Sequence, residues 1–383
     1  MRVLILGGRA PVALDHARRF AAQGWTVCIA DSAPCRLSGW SGAVASVTAL
    51  PPPRQALAQF AAHLARAISA QRIDLVLPTC EEVFYVSRIR SLLPAGCTVF
   101  TAPFEQLREL HSKWSFLALA RHGGVHVPDS ARVPDLAAAR EWAGNRPVVL
   151  KPEFSRFGVH VRVYPGGIPA AAVPLPPVGP WIVQALQPGR ELCSYGIACN
   201  GHLTAHIAYE PTYRIRGSSS YFFEPRQEPR IESFVAAFVE RIRFTGQISF
   251  DWMLGDDGAL SVLECNPRAI SGLHLFERHA PLPAAICDPS SERVAPAAPQ
   301  PRMIASVMLA VGLPAAVRAG QWRRWQADFT RARDVLAVPG DTRPALGACC
   351  DLASYVGRAL HEGCSVRAAT TRDIEWDGEP LHA

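Results

Sequence analysis

Gln247-Ile-Ser-Phe-Asp-Trp-Met-Leu254, the turn Gly255-Asp-Asp-Gly258 and Leu260-Ser-Val-Leu-Glu-Cys-Asn-Pro-Arg268 decide how this 383-residue chain is read. Two apolar runs with alternating polar residues, joined by a Gly/Asp-rich turn, predict a β-hairpin. Side chains alternate faces along a strand, so Glu264 and Asn266 share one face of the second strand. A register that brings Asp251 onto that face would gather hard oxygen ligands of the kind Mg²⁺ prefers. Arg268, two positions beyond Asn266, then lies on the same side, where a guanidinium can stabilise charge on a transferring phosphoryl group.

Working outward, Pro147-Val-Val-Leu-Lys-Pro152 is a short apolar strand that ends in Lys151. Its ammonium is a point charge on a long stem, suited to a polyphosphate. Lys113, in Leu110-His-Ser-Lys-Trp-Ser115, opens a helix-like stretch that ends at Gly123-Gly124, and Trp181-Ile-Val-Gln-Ala-Leu-Gln-Pro-Gly-Arg-Glu-Leu-Cys-Ser194 reads as strand, Pro-Gly turn, strand.

Taken in order, Lys113, Lys151, the 181–194 segment, Asp251 and Glu264-Cys-Asn-Pro-Arg268 resemble the nucleotide site of the ATP-grasp superfamily, which includes biotin carboxylase and the carbamoyl phosphate synthetase large subunit. The resemblance spans roughly the first 280 residues and is most specific between 147 and 268. It implies ATP as cofactor, with Mg²⁺ (or Mn²⁺ in its place) held by Asp251, Glu264 and Asn266. It also implies that Lys113 and Lys151 hold phosphate, that Gln184, Ala185 and Leu186 line the adenine, with the backbone of Gln184 and Leu186 flanking it, and that Glu191 is the acidic partner of the nucleotide. Catalytic roles fall to Lys151, Arg268 and Arg216, the last in the basic stretch Arg214-Ile-Arg-Gly-Ser-Ser-Ser-Tyr221. His206 is the one histidine the resemblance brings near the nucleotide. Where the family carries a glycine-rich loop whose N–H groups cover phosphates, this chain has Glu153-Phe-Ser-Arg-Phe-Gly158, with a single glycine, and Ser155 and Arg156 are the substitute donors.

The first hundred residues alternate short apolar strands (Arg2–Leu6, Thr26–Ala30, 75–77, Cys97–Thr101) with helices, the pattern of a doubly wound parallel sheet. Ligands of such sheets lie at the carboxyl ends of the strands, here Gly7-Gly-Arg9, Asp31 and Pro78-Thr-Cys-Glu-Glu82. Gly7-Gly8 before a helix, with Asp31 after the second strand, supports a rival reading as an NAD-dependent oxidoreductase, although Gly-x-Gly-x-x-Gly spacing is missing. Glu81 and Glu82 read as solvated strand-end acids or as contacts for a cationic group.

The expected fold class is therefore α/β and α+β: an N-terminal doubly wound α/β domain (1–103), a two-lobed ATP-grasp core (104–280), a Pro/Ala-rich linker (281–302) and a small C-terminal lobe (303–383) with helical patterning around 303–325 and 346–363. A hydrophobic content of 49% and a charged content of 19% fit a chain able to bury large cores. The net charge of +6 is not gathered into a Lys/Arg run, so no nucleic-acid partner is implied. No apolar run approaches the length of a membrane span, and Met1–Gly7 is a buried strand rather than a signal sequence. Eleven scattered cysteines without a Cys-x-x-Cys pair read as reduced thiols of a cytoplasmic protein.

The expected activity is a carboxylate–amine (less readily carboxylate–thiol) ligase working through an acylphosphate. Its partners are small-molecule carboxylate and amine substrates, with a homodimer left open. A third reading is an ATP-binding regulatory protein without ligase activity. Carboxylate, nucleophile and pathway do not follow from the fold.

Overall fold

The computed structural model describes residues 1–156, 158, 160–215 and 219–381. The N-terminal sheet contains β1 (Arg2–Leu6), β2 (Thr26–Asp31), β3 (Ser46–Ala49), β4 (Leu75–Leu77) and β5 (Thr98–Val99), all parallel, in the order β3-β2-β1-β4-β5. The continuous apolar run Val3–Leu6 forms a strand because both faces of the sheet are covered, leaving all four side chains at 1% exposure or less. Helices α1 (Pro11–Ala22), α2 (Leu57–Gln71) and α3 (Glu82–Arg88) supply that cover. On α2 the buried residues Phe60, Leu64, Ala67 and Ile68 recur at helical spacing. Strand β3 has the mixed, half-exposed sequence Ser-Val-Thr-Ala and carries no strong periodic signal, so sequence patterning misses it.

The order of strands reverses between β1 and β4, and the loops after these strands meet there. Gly7 has φ +77°, and a Cβ at this position would come within 2.5 Å of Thr79 Oγ1, so only glycine lets the two loops approach.

Helices α4 (Phe104–His111) and α5 (Lys113–Ala120) lead into a first antiparallel lobe of order β6-β9-β7-β8: β6 (Ser130–Val133), β7 (Val148–Pro152), β8 (Arg162–Tyr164) and β9 (Trp181–Ala185), packed against α6 (Leu136–Ala143). The second lobe is a seven-stranded sheet of order β14-β13-β10-β11-β12-β15-β16, built from β10 (Arg190–Cys199), β11 (His202–Arg214), β12 (Ser220–Arg226), β13 (Gly246–Leu254), β14 (Leu260–Asn266), β15 (Arg302–Met303) and β16 (Arg333–Asp334). One face of this sheet is closed by α7 (Pro229–Arg241), whose Phe234 and Phe238 pack edge-on against Phe250, and Phe234 also against Trp252. The alternate residues of β13 therefore point to the other face.

The chain after residue 280 is tied to the rest more closely than linker and lobe imply. The Pro/Ala-rich stretch contains a helix, Leu282–Cys287, and Val294 exchanges backbone hydrogen bonds with Thr204 and His206. Strands β15 and β16 extend the second lobe's sheet, and the helix Arg343–Glu362 packs on the turn Leu37–Trp40 of the N-terminal domain, where Asp351 accepts the N–H groups of Arg36 and Leu37. The final segment, 373–379, lies in the cleft between the N-terminal domain and the first lobe. Trp376 is 1% exposed there, among Phe84, Phe104, His111 and Phe154. None of the eleven cysteines is in a disulfide, and among the described residues no helix is long and apolar enough to cross a membrane.

Candidate active site

The hairpin forms as its turn chemistry requires. Asp257 accepts the Ala259 N–H, Gly258 takes φ +78°, and Gly255 and Ala259 close the loop with a backbone hydrogen bond. Asp251 then stands directly across from Glu264, and Ser249 across from Asn266, so the acid pair and the amide share the face opposite α7. A bulge between Asp251 and Trp252 absorbs one register step next to the acid pair.

Two lysines from outside this lobe converge on Glu264. Lys113, at the start of α5, is positioned by a helix cap in which Ser112 Oγ accepts the Ser115 N–H, and its Nζ lies 3.4 Å from Glu264 Oε2 while donating to the Ser155 carbonyl at 2.7 Å. Lys151, at the end of β7, donates to Gln184 Oε1 at 3.0 Å and lies 3.5 Å from the Leu263 carbonyl, so it bridges the two lobes. Both lysine side chains are buried.

Electrostatics separate the two carboxyl groups. Burial and then the neighbouring Glu264 charge push the Asp251 carboxyl well above the usual carboxylate range. Burial opposes charge on Glu264 too, but Lys113 and Lys151 outweigh it and hold that group down at about 2. Burial brings Lys151 down to about 8, with Glu264 working against that shift. Two facing carboxylates, one pushed up by burial and by the other's charge, are an arrangement a divalent cation relieves, and the donors are hard oxygens, so Asp251, Glu264 and the Asn266 amide fit Mg²⁺. Among the described residues no three His, Cys, Asp or Glu side chains gather at one point, so the fit rests on two carboxylates plus an amide.

Glu191, on β10, faces the same side as Asp251 through Cys193, whose Sγ donates to Asp251 Oδ1 at 3.3 Å, and it pairs with Arg214 at 2.8 Å. Arg268 turns toward the N-terminal domain, where its Nε lies 3.7 Å from Glu81. Gln247 holds the two regions together by donating to the Pro78 carbonyl at 2.9 Å.

The structure corrects three expectations and leaves one outside its reach. Leu186 cannot offer its N–H to a base, because that group donates to the Pro147 carbonyl, and the backbone of Gln184 is paired in register with both Ser130 and Val149; it is the Gln184 side chain that reaches Lys151. The neighbouring Ala185 spends its N–H on the Asp129 carbonyl, and its own carbonyl accepts from Gln187 Nε2. His206 pairs with Gly196, out of phase with Cys193 and Asp251, so it sits on the face away from the acid pair. The acids after β4 are not solvated: Glu81 and Glu82 are 3% exposed. Arg216 lies outside the described residues.

Sequence reasoning also missed how Arg156 is used. It lies against Glu81 (3.3 Å), Glu375 and Asp377 (2.9 Å), so the loop after β7 is fastened by the far end of the chain. Residues 221 positions apart carry no local signal of that pairing. Glu81, between Arg156 and Arg268, has neither oxygen hydrogen-bonded, and burial pushes its carboxyl up despite both arginines. At the other strand end, Asp31 is fully engaged by Arg9, which donates to it from the backbone N–H and the guanidinium, and by the Ala33 N–H. A carboxylate so occupied is poorly placed to take a ribose hydroxyl.

No family model and no curated protein matches this sequence. Solved structures do. The chain superposes on an L-amino acid ligase from Bacillus licheniformis at 14% identity and a TM-score of 0.57, covering 79% of each chain. It superposes on N5-carboxyaminoimidazole synthetase from Staphylococcus aureus at 12% identity and a TM-score of 0.59, covering 81% of this chain and 84% of that one. A biotin carboxylase domain of a single-chain bacterial carboxylase matches at 18% identity and a TM-score of 0.54, over 78% and 72% of the two chains. The fold is the ATP-grasp fold, with its α/β domain in front.

Proposed function

We propose that the protein is an ATP-dependent ligase that activates a small-molecule carboxylate as an acylphosphate and passes the acyl group to an amine. The observation that carries this reading is the convergence of Lys113 and Lys151, one from α5 and one from the first lobe, on Glu264, directly opposite Asp251 on the second lobe. A nucleotide triphosphate between the lobes would meet cations from one side and metal-holding carboxylates from the other. Structures similar in fold have been solved with ADP and with its magnesium salt, which supports ATP with Mg²⁺ as the ligand.

In this reading a carboxylate oxygen of the substrate attacks the γ-phosphorus of ATP, the bond to the β-phosphate oxygen breaks, and ADP leaves. The amine then adds to the acyl carbon and inorganic phosphate departs. Magnesium, held by Asp251, Glu264 and Asn266, would supply charge neutralisation on the phosphates. Lys151 and Lys113 hold the phosphate chain, and Arg268, at the junction with the N-terminal domain, steadies the transferring group. Burial of both lysines, with Glu264 half-buried beside them, keeps the field between them strong. No enzyme nucleophile is needed, because the acylphosphate already has a good leaving group.

The test is an ADP-release screen of carboxylates against amines and thiols, followed by ¹⁸O labelling of the active carboxylate. Label in released phosphate with ADP as coproduct is expected. Label in AMP with pyrophosphate would overturn γ attack, and tight NAD binding without ATP binding would transfer the assignment to the oxidoreductase, a reading that the Arg9–Asp31 contact already weakens. ATP binding without turnover across the screen would favour the regulatory alternative.

A further inference from the structure

A second cavity, of about 650 Å³, lies away from the acid pair, walled by α1, by the residues after the 3₁₀ turn Ser271–Leu275, by residues 298–302 and by residues 333–339. Its charges do not balance. Asp15 is taken by Arg19 and His274, Glu277 accepts the Ala298 N–H, and Asp334 caps the backbone of Ala305, Leu336 and Ala337. Arg18 is spent on Asp341 and the carbonyls of Val335 and Leu336, and Arg19 on the carbonyls of Phe276 and Glu277.

Arg278 reaches the Pro339 carbonyl at 3.5 Å, which leaves Arg302 and Arg333. They are direct neighbours across the parallel β15–β16 pair, so their side chains leave the sheet on the same face. Among the described residues neither guanidinium has a hydrogen bond or an ion pair, and Arg302 Nε is sealed from water without a partner. Burial lowers the Arg302 pKa from its ordinary value; Asp15 and Glu277 work against that shift, and Arg19 and Arg333 add to it. Two like charges side by side, one of them partly buried, repel, and an anion between them relieves that repulsion.

We infer that this cavity is an anion-binding site, in which Arg302 and Arg333 together grip the oxyanion group of a small phosphorylated or polycarboxylate molecule. Guanidinium forks match phosphate and carboxylate oxygens in pairs. The volume falls within the roughly 300–1,000 Å³ typical of small-molecule sites and exceeds what one phosphate ion fills, so the oxyanion belongs to a larger ligand. Because the walls come from the N-terminal domain, the second lobe and the C-terminal residues, an occupant would tie the three together. The inference stands apart from the ligase reading and uses none of its residues.

The test is calorimetric titration of the full-length protein with inorganic phosphate, tripolyphosphate and citrate, on the wild type, Arg302→Gln, Arg333→Gln and Lys151→Gln. A binding component for at least one probe is expected that each arginine substitution weakens tenfold or more and that persists in Lys151→Gln, where only phosphate held at the acid-pair site is lost; tripolyphosphate against citrate separates phosphate from carboxylate recognition. Binding lost in Lys151→Gln but kept in the arginine variants would place the anion at the acid-pair site and overturn the inference. Absence of binding by all three probes would overturn it as well. Arg333 is exposed, so its substitution serves if Arg302→Gln fails to fold.

Discussion

The hairpin site and the C-terminal cluster both bury carboxylates against cations, yet they resolve their charges in opposite ways. At the hairpin, Asp251 and Glu264 crowd each other, burial and the Glu264 charge push the Asp251 carboxyl up, and burial pulls Lys151 down to about 8. In the cleft, Arg156 meets Glu81, Glu375 and Asp377, and Arg54 meets Glu375, Asp377 and Glu379; burial acts against both arginines, but the acids outweigh it and both are raised. In the cleft each arginine is ringed by acids that outweigh its burial, which fastens the C-terminal segment even though Glu81 is left without a hydrogen bond. A cluster with crowded like charges holds electrostatic free energy that a ligand can relieve, and this imbalance separates a binding site from a brace.

The largest expected effect tests the brace. Trp376→Ala removes a fully buried ring from contact with Phe84, Phe104 and Phe154 and should cost on the order of 3–5 kcal/mol in denaturant unfolding. A change below roughly 1 kcal/mol would mean that the C-terminal segment rests on the cleft without supporting it. On the other side of the comparison, Glu264→Gln keeps size and removes charge. Turnover of a substrate pair found by the ADP-release screen should fall about 10²–10³-fold with the thermal midpoint nearly unchanged, and wild-type turnover would make the hairpin merely structural.

A double-mutant cycle with Arg156→Gln and Glu375→Gln should return a coupling of about 1–3 kcal/mol, since both groups are at least mostly buried and in contact. Coupling near zero would leave the loop after β7 free of the C-terminal segment. The hairpin's imbalance predicts a pH signature instead. Nucleotide affinity should fall as pH rises past about 8, by at most roughly tenfold per unit, as Lys151 loses its proton. Folding stability should move the other way. The folded state binds that proton more weakly than the unfolded chain, so stability rises between about 8 and the ordinary 10.5. In Lys151→Gln both slopes should flatten, and a retained slope in affinity would assign it to another group. The smallest effect belongs to Glu191→Gln, whose pair with Arg214 is partly exposed, and unfolding should shift by less than about 1 kcal/mol.

What could be read from the chain alone follows from range. Asp251, Glu264 and Asn266 lie within one hairpin, where strand alternation and turn residues dictate which side chains share a face. The N-terminal sheet was legible for the same reason, except for β3, whose polar, half-exposed residues carry no periodic signal. Local pattern failed where a backbone group's partner or a sheet's phase had to be known. Nothing in Gln184-Ala-Leu186 announces that Pro147 will take the Leu186 N–H, and His206 was misplaced because β11 meets β10 with Gly196, not Cys193, opposite it.

By itself, then, the sequence determined the hairpin, the face that Glu264 and Asn266 share and the doubly wound first domain, because periodicity and turn chemistry act over a few residues. Only the tertiary structure decided that Lys113 and Lys151 meet on Glu264, that Arg156 is fastened by Glu375 and Asp377, that Arg9 occupies Asp31, and that Arg302 and Arg333 stand side by side with no acid paired to either among the described residues. Charges separated by dozens or hundreds of residues interact through space, and their energies depend on distance and burial, which are set when the lobes and domains pack together.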